Sequence, residues 1–380
     1  MHLIDITMFY AAEGGGVSSY LNAKARWLAR RGNIQHTILS PSIGRGKSNP
    51  VAMKIPSLPI PGICGYRMPR SIGSATRILR SLQPDLIEVG DAYHCAWAAL
   101  RMRHKYRVPV VAFYHSDMPQ VIGRRLGNVA QQASEKYLKY LYRQFDMVLA
   151  PSRIMTQQLH AIGVTEAIHQ PLGVDTWMFR PQRRDPTLRA QLRLPPDTRL
   201  LVYAGRFAPE KNLHLLLEAV TKLGKRYHLV MIGSGDDMPR CRHATFIPFV
   251  RDLRLLAQLL ASCDLLVHPG DSETFGLIVL EAMACGLPVL GVDAGGVAEL
   301  VDENTGMLVK PRSAAALTEG IEAMFQKDMA RMGANARQYV TREFDWDRIV
   351  PQLLQRYAGL LAGYPREELE ADITYATERR

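Results

Sequence analysis

Hydrophobic residues along the chain alternate between short apolar runs and stretches with helical spacing. Apolar runs of about four to eight residues, bounded by Gly, Pro or polar residues, predict buried strands. In the first half these strands are predicted at 2–9, 34–40, 85–90, 109–115, 146–151 and 167–172. In the second half they are predicted at 199–205, 227–233, 244–249, 264–268, 288–292 and 306–309.

Helical spacing fills the intervals between these strands. In the first half, helices are predicted at 17–31, 71–83, 92–106, 122–144 and 153–162. In the second half, they are predicted at 212–223, 253–262, 275–285, 295–301 and 313–326, and two helices follow at 328–343 and 346–362. Strands that alternate with helices predict a parallel sheet covered on both faces. Two such series predict an α/β protein with two Rossmann-like, doubly wound domains that face a cleft.

The domain boundaries follow from composition. We predict an N-terminal domain at 1–174, a linker rich in Pro and charge at 175–198, a C-terminal domain at 199–345, a helix at 346–363 and a polar tail at 364–380. No apolar run reaches the roughly 18 residues that a membrane span needs. The five cysteines are scattered, without a CxxC pair, a usage typical of reduced thiols in the cytoplasm.

Positive charge is concentrated in the first half of the chain. Residues 1–170 hold 21 Lys and Arg against 9 Asp and Glu, a net charge of +12, whereas residues 171–380 carry −1. This asymmetry indicates an anionic partner, such as a membrane surface, an anionic substrate or nucleic acid. The alternative is a basic face that is only solvated and has no partner. No zinc-finger or RRM signature occurs, so we do not expect nucleic acid.

The stretch at 122–145 has the pattern of a basic amphipathic helix. Its apolar residues recur at three- and four-residue spacing: Ile122, Leu126, Val129, Ala133, Tyr137 and Tyr140. The cations Arg124, Arg125, Lys139 and Arg143 flank or oppose that face. Such a helix either lies on an anionic membrane or packs its apolar face in the domain core.

Two loops combine glycine or positive charge with the start of a helix. "EGGGVSSY" follows the first predicted strand, and Gly15 and Gly16 would let the backbone of the next helix approach an anion. Its spacing is neither GxGxxG nor that of a P-loop. "YAGRFAPEKN" follows the first strand of the second domain, and Arg206 and Lys211 there are either a diphosphate clamp or ordinary loop cations.

The most apolar segment, "SETFGLIVLEAMACGLPV", contains two carboxylates. Glu273 precedes the predicted helix, and Glu281 lies inside it. An unpaired carboxylate in such surroundings is costly, so Glu281 either forms a salt bridge with a neighbouring Arg or receives hydrogen bonds from a ligand. Glu273 and the peptide N–H groups of Phe275, Gly276 and Leu277 are predicted to face the cleft together.

These motifs together resemble those of the retaining GT-B enzymes of glycosyltransferase family 4. The resemblance covers nearly the whole chain, is strongest over 200–311, and rests on "GRFAPEKN", "GSGD", "ETFGLIVLEAMACGLPV" and "GGVAELV". It implies two Rossmann-like domains, with the C-terminal helix crossing back to the first.

The resemblance also implies roles for single residues. Glu281 would bind the ribose hydroxyls of a nucleotide, and Glu273 would hold hydroxyls of the transferred sugar. Backbone and cationic contacts to sugar and diphosphate would come from Gly15, Gly16, Arg206, Lys211, Phe275, Gly276 and Leu277. His115, in "AFYHSD", would contact the sugar at the reacting centre, although a structural role for this histidine stays open. The variable base-contacting loop would contain Val250 and Asp252.

The implied activity is transfer of a hexose from a nucleoside-diphosphate sugar with retained configuration. Among donors we favour GDP-mannose over UDP sugars that carry glucose, galactose or sulfoquinovose. The acceptor would be a lipid, a lipid-linked glycan or another glycan. A nucleotide-sugar epimerase of the same fold is the alternative. We expect neither cofactor nor metal, because Asp236 and Asp237 lie outside the diphosphate-contacting loop. The enzyme would act peripherally at the inner face of the membrane.

Overall fold

The computed structural model describes residues 1–10, 15–43, 51–60, 66–235 and 241–364. The predictions for Asp236, Asp237 and the tail beyond 364 therefore concern residues outside these ranges. Within these ranges the first domain contains the strands β1 His2–Ile6, β2 Gln35–Ser40, β3 Ala52–Lys54, β4 Ser57–Pro59, β5 Arg67–Pro69, β6 Leu86–Val89, β7 Val110–Phe113, β8 Met147–Ala150 and β9 Ala167–His169. Seven of these form one parallel sheet in the order β3-β2-β1-β6-β7-β8-β9, and β4 and β5 pair as an antiparallel hairpin.

Helices cover both faces of this sheet. They are α1 Gly16–Arg31, α2 Ile72–Ser81, α3 His94–Tyr106, α4 Met118–Leu126, α5 Asn128–Tyr142 and α6 Arg153–Ala161. Polar side chains begin several of them; for example, Asp117 accepts a hydrogen bond from the Gln120 amide and Ser152 from the Met155 amide. Such caps satisfy amides that have no partner inside the helix.

The second domain repeats this plan with six parallel strands. They are β10 Arg199–Ala204, β11 Tyr227–Ile232, β12 Ala244–Ile247, β13 Leu265–His268, β14 Val289–Val292 and β15 Gly306–Val309, in the order β12-β11-β10-β13-β14-β15. Its α-helices, with one short helix in the preceding segment, are α7 Leu188–Gln191, α8 Leu213–Leu223, α9 Leu253–Ser262, α10 Leu277–Ala284, α11 Ala314–Met324 and α12 Met329–Glu343. Most of these strands are nearly all apolar, as expected for strands that are buried on both faces.

The last helix, α13 Trp346–Ala362, crosses back to the first domain. Val174 and Asp345 form a parallel bridge where the chain passes between the domains. The Tyr357 hydroxyl then donates to Glu88 at the end of β6, and the Trp27 indole of α1 donates to Asp347 at 2.7 Å. The two domains together have the GT-B architecture that the motifs predicted.

Beneath α1 lies a buried polar cluster. The Lys24 ammonium lies 2.6 Å from Asp5 and 3.1 Å from Glu88, and the Tyr20 hydroxyl donates to the same Glu88 carboxylate at 2.9 Å. Burial raises the pKa of Glu88 to about 7, although Lys24 opposes that change. Since an unpaired buried charge is costly, this cluster fixes the position of α1 on the sheet.

Two parts of the first domain, and the segment predicted as the linker, differ from the prediction. The sheet gains β3, and the hairpin β4–β5 follows; both consist of three-residue strands that are too short for a periodic signal. The single helix expected over 122–144 is wrong, because Gly127 adopts φ +84° and separates α4 from α5. The segment expected as a linker contains α7, and Arg189 in that helix lies 2.6 Å from Asp264 of the second domain.

In the described part of the chain, no helix combines the length and the apolar character that crossing a bilayer requires.

Candidate active site

The loop between β13 and α10 lies where the carboxyl ends of the two sheets meet. It ends at Gly276, which begins α10 with φ +103°. A side chain there would be strained by this left-handed backbone, and its Cβ would lie 3.2 Å from Val297. The predicted helix start at 275 therefore moves to Leu277, because Gly276 is a cap and not part of the helix.

Two further glycines hold the backbone of this loop. The Gly296 amide donates to the Glu273 carbonyl at 2.7 Å. A Cβ on Gly295 would lie 2.6 Å from that carbonyl oxygen, and one on Gly296 would lie 2.6 Å from the Phe275 Cα. The motif "GGVAELV" therefore supplies a surface without side chains on which the loop rests.

The Glu273 carboxylate is held between two basic side chains. Lys211, at the end of the loop after β10, forms an ion pair with Glu273 Oε1, and the buried His268 Nε2 lies 3.3 Å from the same oxygen. Burial raises the pKa of Glu273, but Lys211 and His268 outweigh it and hold the pKa well below its usual range. Glu273 is therefore an ionised hydrogen-bond acceptor in a fixed position.

Glu281 lies about one turn into α10 and has the opposite electrostatics. It is half-buried, and burial raises its pKa to about 8. No charge or hydrogen-bond donor among the described residues offsets this shift. The neighbouring Arg that would make Glu281 a structural salt bridge is thus missing from the described surroundings, so the described part of the protein supplies no partner for this carboxyl group.

The N-termini of two helices meet at the same place. Gly15 caps α1 without any side-chain hydrogen bond, and a Cβ on Gly16 would lie 3.4 Å from Leu277 Cδ1, at the start of α10. The first amides of a helix lack partners within the helix and carry partial positive charge. Two such ends side by side favour an anion such as a diphosphate.

His115 follows β7 and links the first domain to this loop. Its backbone carbonyl accepts a hydrogen bond from the Thr274 hydroxyl at 3.0 Å, and its ring stacks on Phe113 with centroids 4.4 Å apart. Burial, and then the charge of Lys24, lower the pKa of His115 to about 3. The imidazole is therefore neutral, and its buried Nε2 has no hydrogen-bond partner among the described residues.

Two family models match the chain, one over each domain. The model described as "Glycosyltransferase Family 4" matches residues 14–177, and "Glycosyl transferases group 1" matches residues 184–339. A GDP-mannose-dependent alpha-mannosyltransferase of Mycolicibacterium smegmatis is 32% identical over 81% of this chain and 80% of its own length. The chain belongs to glycosyltransferase family 4.

The names of other relatives of this glycosyltransferase give different donors and acceptors. The GDP-mannose-dependent alpha-(1-6)-phosphatidylinositol dimannoside mannosyltransferase of Mycobacterium tuberculosis is 27% identical over 93% of this chain and 95% of its own. The sulfoquinovosyl transferase SQD2 of Arabidopsis thaliana is 30% identical over 74% of this chain, which spans 59% of that relative. Sucrose-phosphate synthase of Thermosynechococcus elongatus shares the fold, with a TM-score of 0.80, 21% identity, and coverage of 95% and 100%.

The structure of this glycosyltransferase brings most of the predicted site residues into one region. Direct contacts tie Lys211 to Glu273, Gly16 to Leu277, and the His115 segment to the loop. Contacts of the described residues do not tie the remaining predicted residues Arg206, Val250 and Asp252 to this region. Arg206 is 62% exposed and lies 3.1 Å from Glu210, Asp252 caps α9 through the Arg254 amide, and Val250 is half-buried beside the core.

Sequence reasoning missed several residues at the site. His268 ends the strand β13 directly before the loop, and the end of a predicted strand is a position from which the sequence could have indicated it. The pairing of Arg124 with Asp271, 147 positions apart in the sequence, left no such signal. Among the described residues, no group of three or more His, Cys, Asp or Glu side chains could hold a metal ion.

The raised pKa of Glu281 generates a prediction about pH. In the free protein this carboxyl group keeps its proton up to about pH 8, but its ionised form accepts stronger hydrogen bonds from ligand hydroxyls and more of them. Nucleotide affinity should therefore rise as pH approaches 8, with one proton released per ligand bound near pH 7. Calorimetric titration of GDP and UDP in buffers of different ionisation enthalpy measures both effects.

The matched control is Glu281→Gln, which has the same shape without the titration. Any pH dependence that remains in this variant belongs to other groups, such as the nucleotide phosphates or Glu88. The sign for stability is opposite: the native state retains a proton that the unfolded chain has lost, so the contribution of Glu281 to stability falls as pH rises from its ordinary pKa towards 8. Identical pH profiles for wild type and Glu281→Gln would remove Glu281 from the binding site.

Proposed function

We propose that this glycosyltransferase transfers mannose from GDP-mannose to a lipid or lipid-linked acceptor and retains the configuration of the sugar. The observation that carries the proposal is the pair of carboxylates on one loop–helix element: Glu273 is held ionised, and Glu281 has no partner among the residues that the structure describes. The names of two relatives, both GDP-mannose-dependent mannosyltransferases and one specific for a phosphatidylinositol mannoside, support the donor and the class of acceptor.

In this proposal each carboxylate receives hydroxyl groups. Glu281 accepts hydrogen bonds from the ribose, which offset the cost of its burial. Glu273 accepts hydrogen bonds from the transferred sugar, and the N–H groups of Phe275, Gly276 and Leu277 donate to sugar and phosphate. A carboxylate whose negative charge is paired with the Lys211 ammonium is a poor nucleophile, so we assign Glu273 to binding and not to covalent catalysis.

The diphosphate lies between the two helix ends. Gly15 and Gly16 close over it with backbone N–H groups, and Lys211 contributes charge from below. Arg206 leaves Glu210 and folds over the phosphates; its exposed position on the loop after β10 permits this movement. Val250 and Asp252 contact the base from the loop before α9. These donors stabilise the charge that grows on the leaving group, so the proposal needs no metal ion.

The chemical step takes place on one face of the sugar. The bond between C1 and the leaving phosphate oxygen breaks as the acceptor oxygen forms its bond to C1, and the acceptor hydroxyl proton passes to a phosphate oxygen. Neutral His115 lies on the acceptor-domain side and donates or accepts a hydrogen bond without adding charge. Catalysis comes mainly from positioning and from stabilisation of the diphosphate.

A second candidate donor has support from one relative. The sulfoquinovosyl transferase SQD2 matches this chain almost as well as the mannosyltransferases do. The alternative function is therefore transfer of glucose, galactose or sulfoquinovose from a UDP sugar. A nucleotide-sugar epimerase would use the same nucleotide contacts but would need no acceptor.

The donor test combines a thermal-shift screen with a transfer assay. GDP should stabilise the protein by about 2.7 kcal/mol at 100 times its dissociation constant, and UDP at the same concentration should stabilise it less. Radiolabelled GDP-mannose incubated with bacterial membranes should label a lipid extract, and EDTA should leave the rate unchanged. A preference for UDP would favour the alternative donor, whereas a changed free nucleotide sugar without transfer would favour the epimerase. Loss of activity in EDTA, restored by magnesium, would contradict a metal-free site.

We also propose that the enzyme acts at the inner face of the membrane and contacts anionic lipid through the junction of α4 and α5. Leu126 and Val129 at this junction are 74% and 83% exposed, and Arg125 lies beside them. Exposed apolar side chains next to cations favour an anionic interface. The rest of the predicted apolar face is divided: Tyr140 is 62% exposed, whereas Tyr137 is half-buried and donates to the Ala92 carbonyl at 2.7 Å.

Membrane contact is tested by replacing both exposed apolar residues with Glu, as Leu126→Glu and Val129→Glu. The double variant should sediment at least several-fold less with vesicles of anionic phospholipid at low salt. Leu255→Glu is the matched control, because this leucine is also exposed but lies on α9 of the other domain. Equal sedimentation of the two variants, or no sedimentation of wild type, would exclude this surface. Arg124 is left unchanged, since it contacts Asp271.

A further inference from the structure

A positively charged surface lies at the end of α3, away from the candidate active site. The Arg80 guanidinium of α2 and the Lys105 ammonium of α3 lie 4.9 and 5.5 Å from the centre of the Tyr106 ring. Arg103 precedes this ring in the last turn of α3, and Arg107 caps the helix. We name these four cations the α3 surface: Arg80, Arg103, Lys105 and Arg107.

The α3 surface lies at the edge of the first sheet where β7 and β8 begin. Arg103 lies 2.8 Å from Asp146, whose backbone amide donates to the Val110 carbonyl at 3.0 Å. Val110 begins β7, and His115 follows the other end of that strand. A partner that binds the α3 surface is therefore separate from the predicted reacting centre.

The helix dipoles and Asp146 offset only part of this charge. Arg80, Arg103 and Lys105 lie in the last turns of α2 and α3, where a cation interacts favourably with the dipole. Each helix end carries about half a negative charge, so the two ends together offset about one cation of the four. Asp146 offsets Arg103, and the other three cations form no ion pair with a described residue. The surface therefore has an excess of about two positive charges.

The last described residue of the chain lies beside this surface. The helix α13 ends at Ala362, and Tyr364 follows it. Burial raises the pKa of the Tyr364 phenol, the charge of Asp146 raises it further, and the charges of Arg103 and Arg107 lower it. Because such effects fall off with distance and are screened by salt, Tyr364 lies close to these three charges.

The chain beyond Tyr364 continues with the acidic sequence PREELEAD, residues 365–372. This segment lies outside the described ranges; by sequence it has four carboxylates and one cation, a net charge of −3. An extended chain spans at most about 3.5 Å per residue, so Glu367 comes within about 10 Å of Tyr364 and Asp372 within about 28 Å. The last turn of α3 is only about 5.4 Å long, so the segment is long enough to reach all four cations of the surface.

We propose that the α3 surface is a docking site for residues 365–372 of the same chain, and that this segment excludes other anions from the surface. Charge complementarity favours this occupant, and the position of Tyr364 delivers it. A segment of the same chain has an effective concentration on the order of millimolar, which an anion in solution must exceed to compete. Exposed ion pairs are weak singly and are screened by salt, so the docking is reversible.

A carbodiimide tests docking in the full chain, because it couples a carboxylate to a lysine amine in direct contact. Lys105 is the reporter on the α3 surface, and Lys310, which is also exposed but lies in the second domain, is the control. In the monomer, Lys105 should couple to residues 365–372 at least several-fold more than Lys310 does. Salt at about 1 M should reduce this yield, because the Debye length falls to about 3 Å. Equal coupling of the two lysines, or coupling confined to dimers, would overturn the proposal.

Charge reversal tests whether the neighbouring arginines hold the segment. Arg80→Glu with Arg107→Glu keeps the reporter Lys105 but should lower its coupling at least several-fold. Arg254→Glu with Arg331→Glu makes the same change of net charge at exposed positions of the second domain and should leave the coupling as in wild type. An equal fall in both double variants would contradict docking at the α3 surface. The melting temperature of each variant shows whether the fold is retained.

Neutralising the segment tests the exclusion of other anions without any change to the folded domains. This variant should elute from immobilised heparin at higher salt than wild type, whereas Glu378→Gln, beyond the acidic segment, should elute as wild type does. The four substitutions are Glu367→Gln, Glu368→Gln, Glu370→Gln and Asp372→Asn.

The same four substitutions are then combined with Arg80→Glu and Arg107→Glu. The gain in heparin affinity should disappear, because the surface that the segment covers has lost its charge. A gain that persists would show that net charge alone is responsible, and no gain in the first variant would show that the surface is already open to a membrane or another polyanion. Either result overturns the proposal. None of these measurements uses sugar transfer, so they stand or fall independently of the proposed function.

Discussion

The contact between two glycines and a loop backbone supports the rest of the site. Gly295 and Gly296 leave no room for side chains beneath Glu273, and the Gly296 amide fixes the loop by a hydrogen bond to its carbonyl. Any other residue at these two positions would push the loop away by more than the tolerance of the packed backbone. The same segment ends in Glu299, whose carboxylate accepts hydrogen bonds from the Arg153 and Ile154 amides of the first domain, so one rigid contact connects the proposed sugar clamp, the start of α10 and the first domain.

Two carboxyl groups eight positions apart in the sequence have opposite pKa shifts because their neighbours differ. Lys211 and His268 keep Glu273 ionised, whereas burial without a partner among the described residues keeps a proton on Glu281. A buried carboxyl group without a hydrogen-bond partner lowers folding stability, and such a cost is typical of sites that recognise a ligand. In the proposed function, hydrogen bonds from a nucleotide offset the cost of burying Glu281.

The periodic parts of the chain were predictable, and the contacts between distant segments were not. Buried strands and long helices have a local signal, so both sheets of the GT-B fold and the crossing of α13 agree with the sequence prediction. The three-residue strands β3, β4 and β5 have too few residues for periodicity, and the break at Gly127 depends on one backbone angle. Motif resemblance pointed to Glu273 and Glu281, but it could not show that Arg124 pairs with Asp271, since that contact depends on how two separately folded domains meet.

The central claim is our proposal that Glu281 accepts hydrogen bonds from the ribose hydroxyls of the nucleotide. The most direct measurement compares the affinity of the preferred nucleoside diphosphate with that of its 2′,3′-dideoxy analogue, for wild type and for Glu281→Ala. Hydrogen bonds to a charged group contribute about 1.5–3 kcal/mol, so wild type should lose roughly tenfold or more in affinity for the analogue. Glu281→Ala should bind both nucleotides equally and weakly. If the variant discriminates between them as strongly as wild type does, the hydroxyls bind elsewhere and the account of this site is wrong.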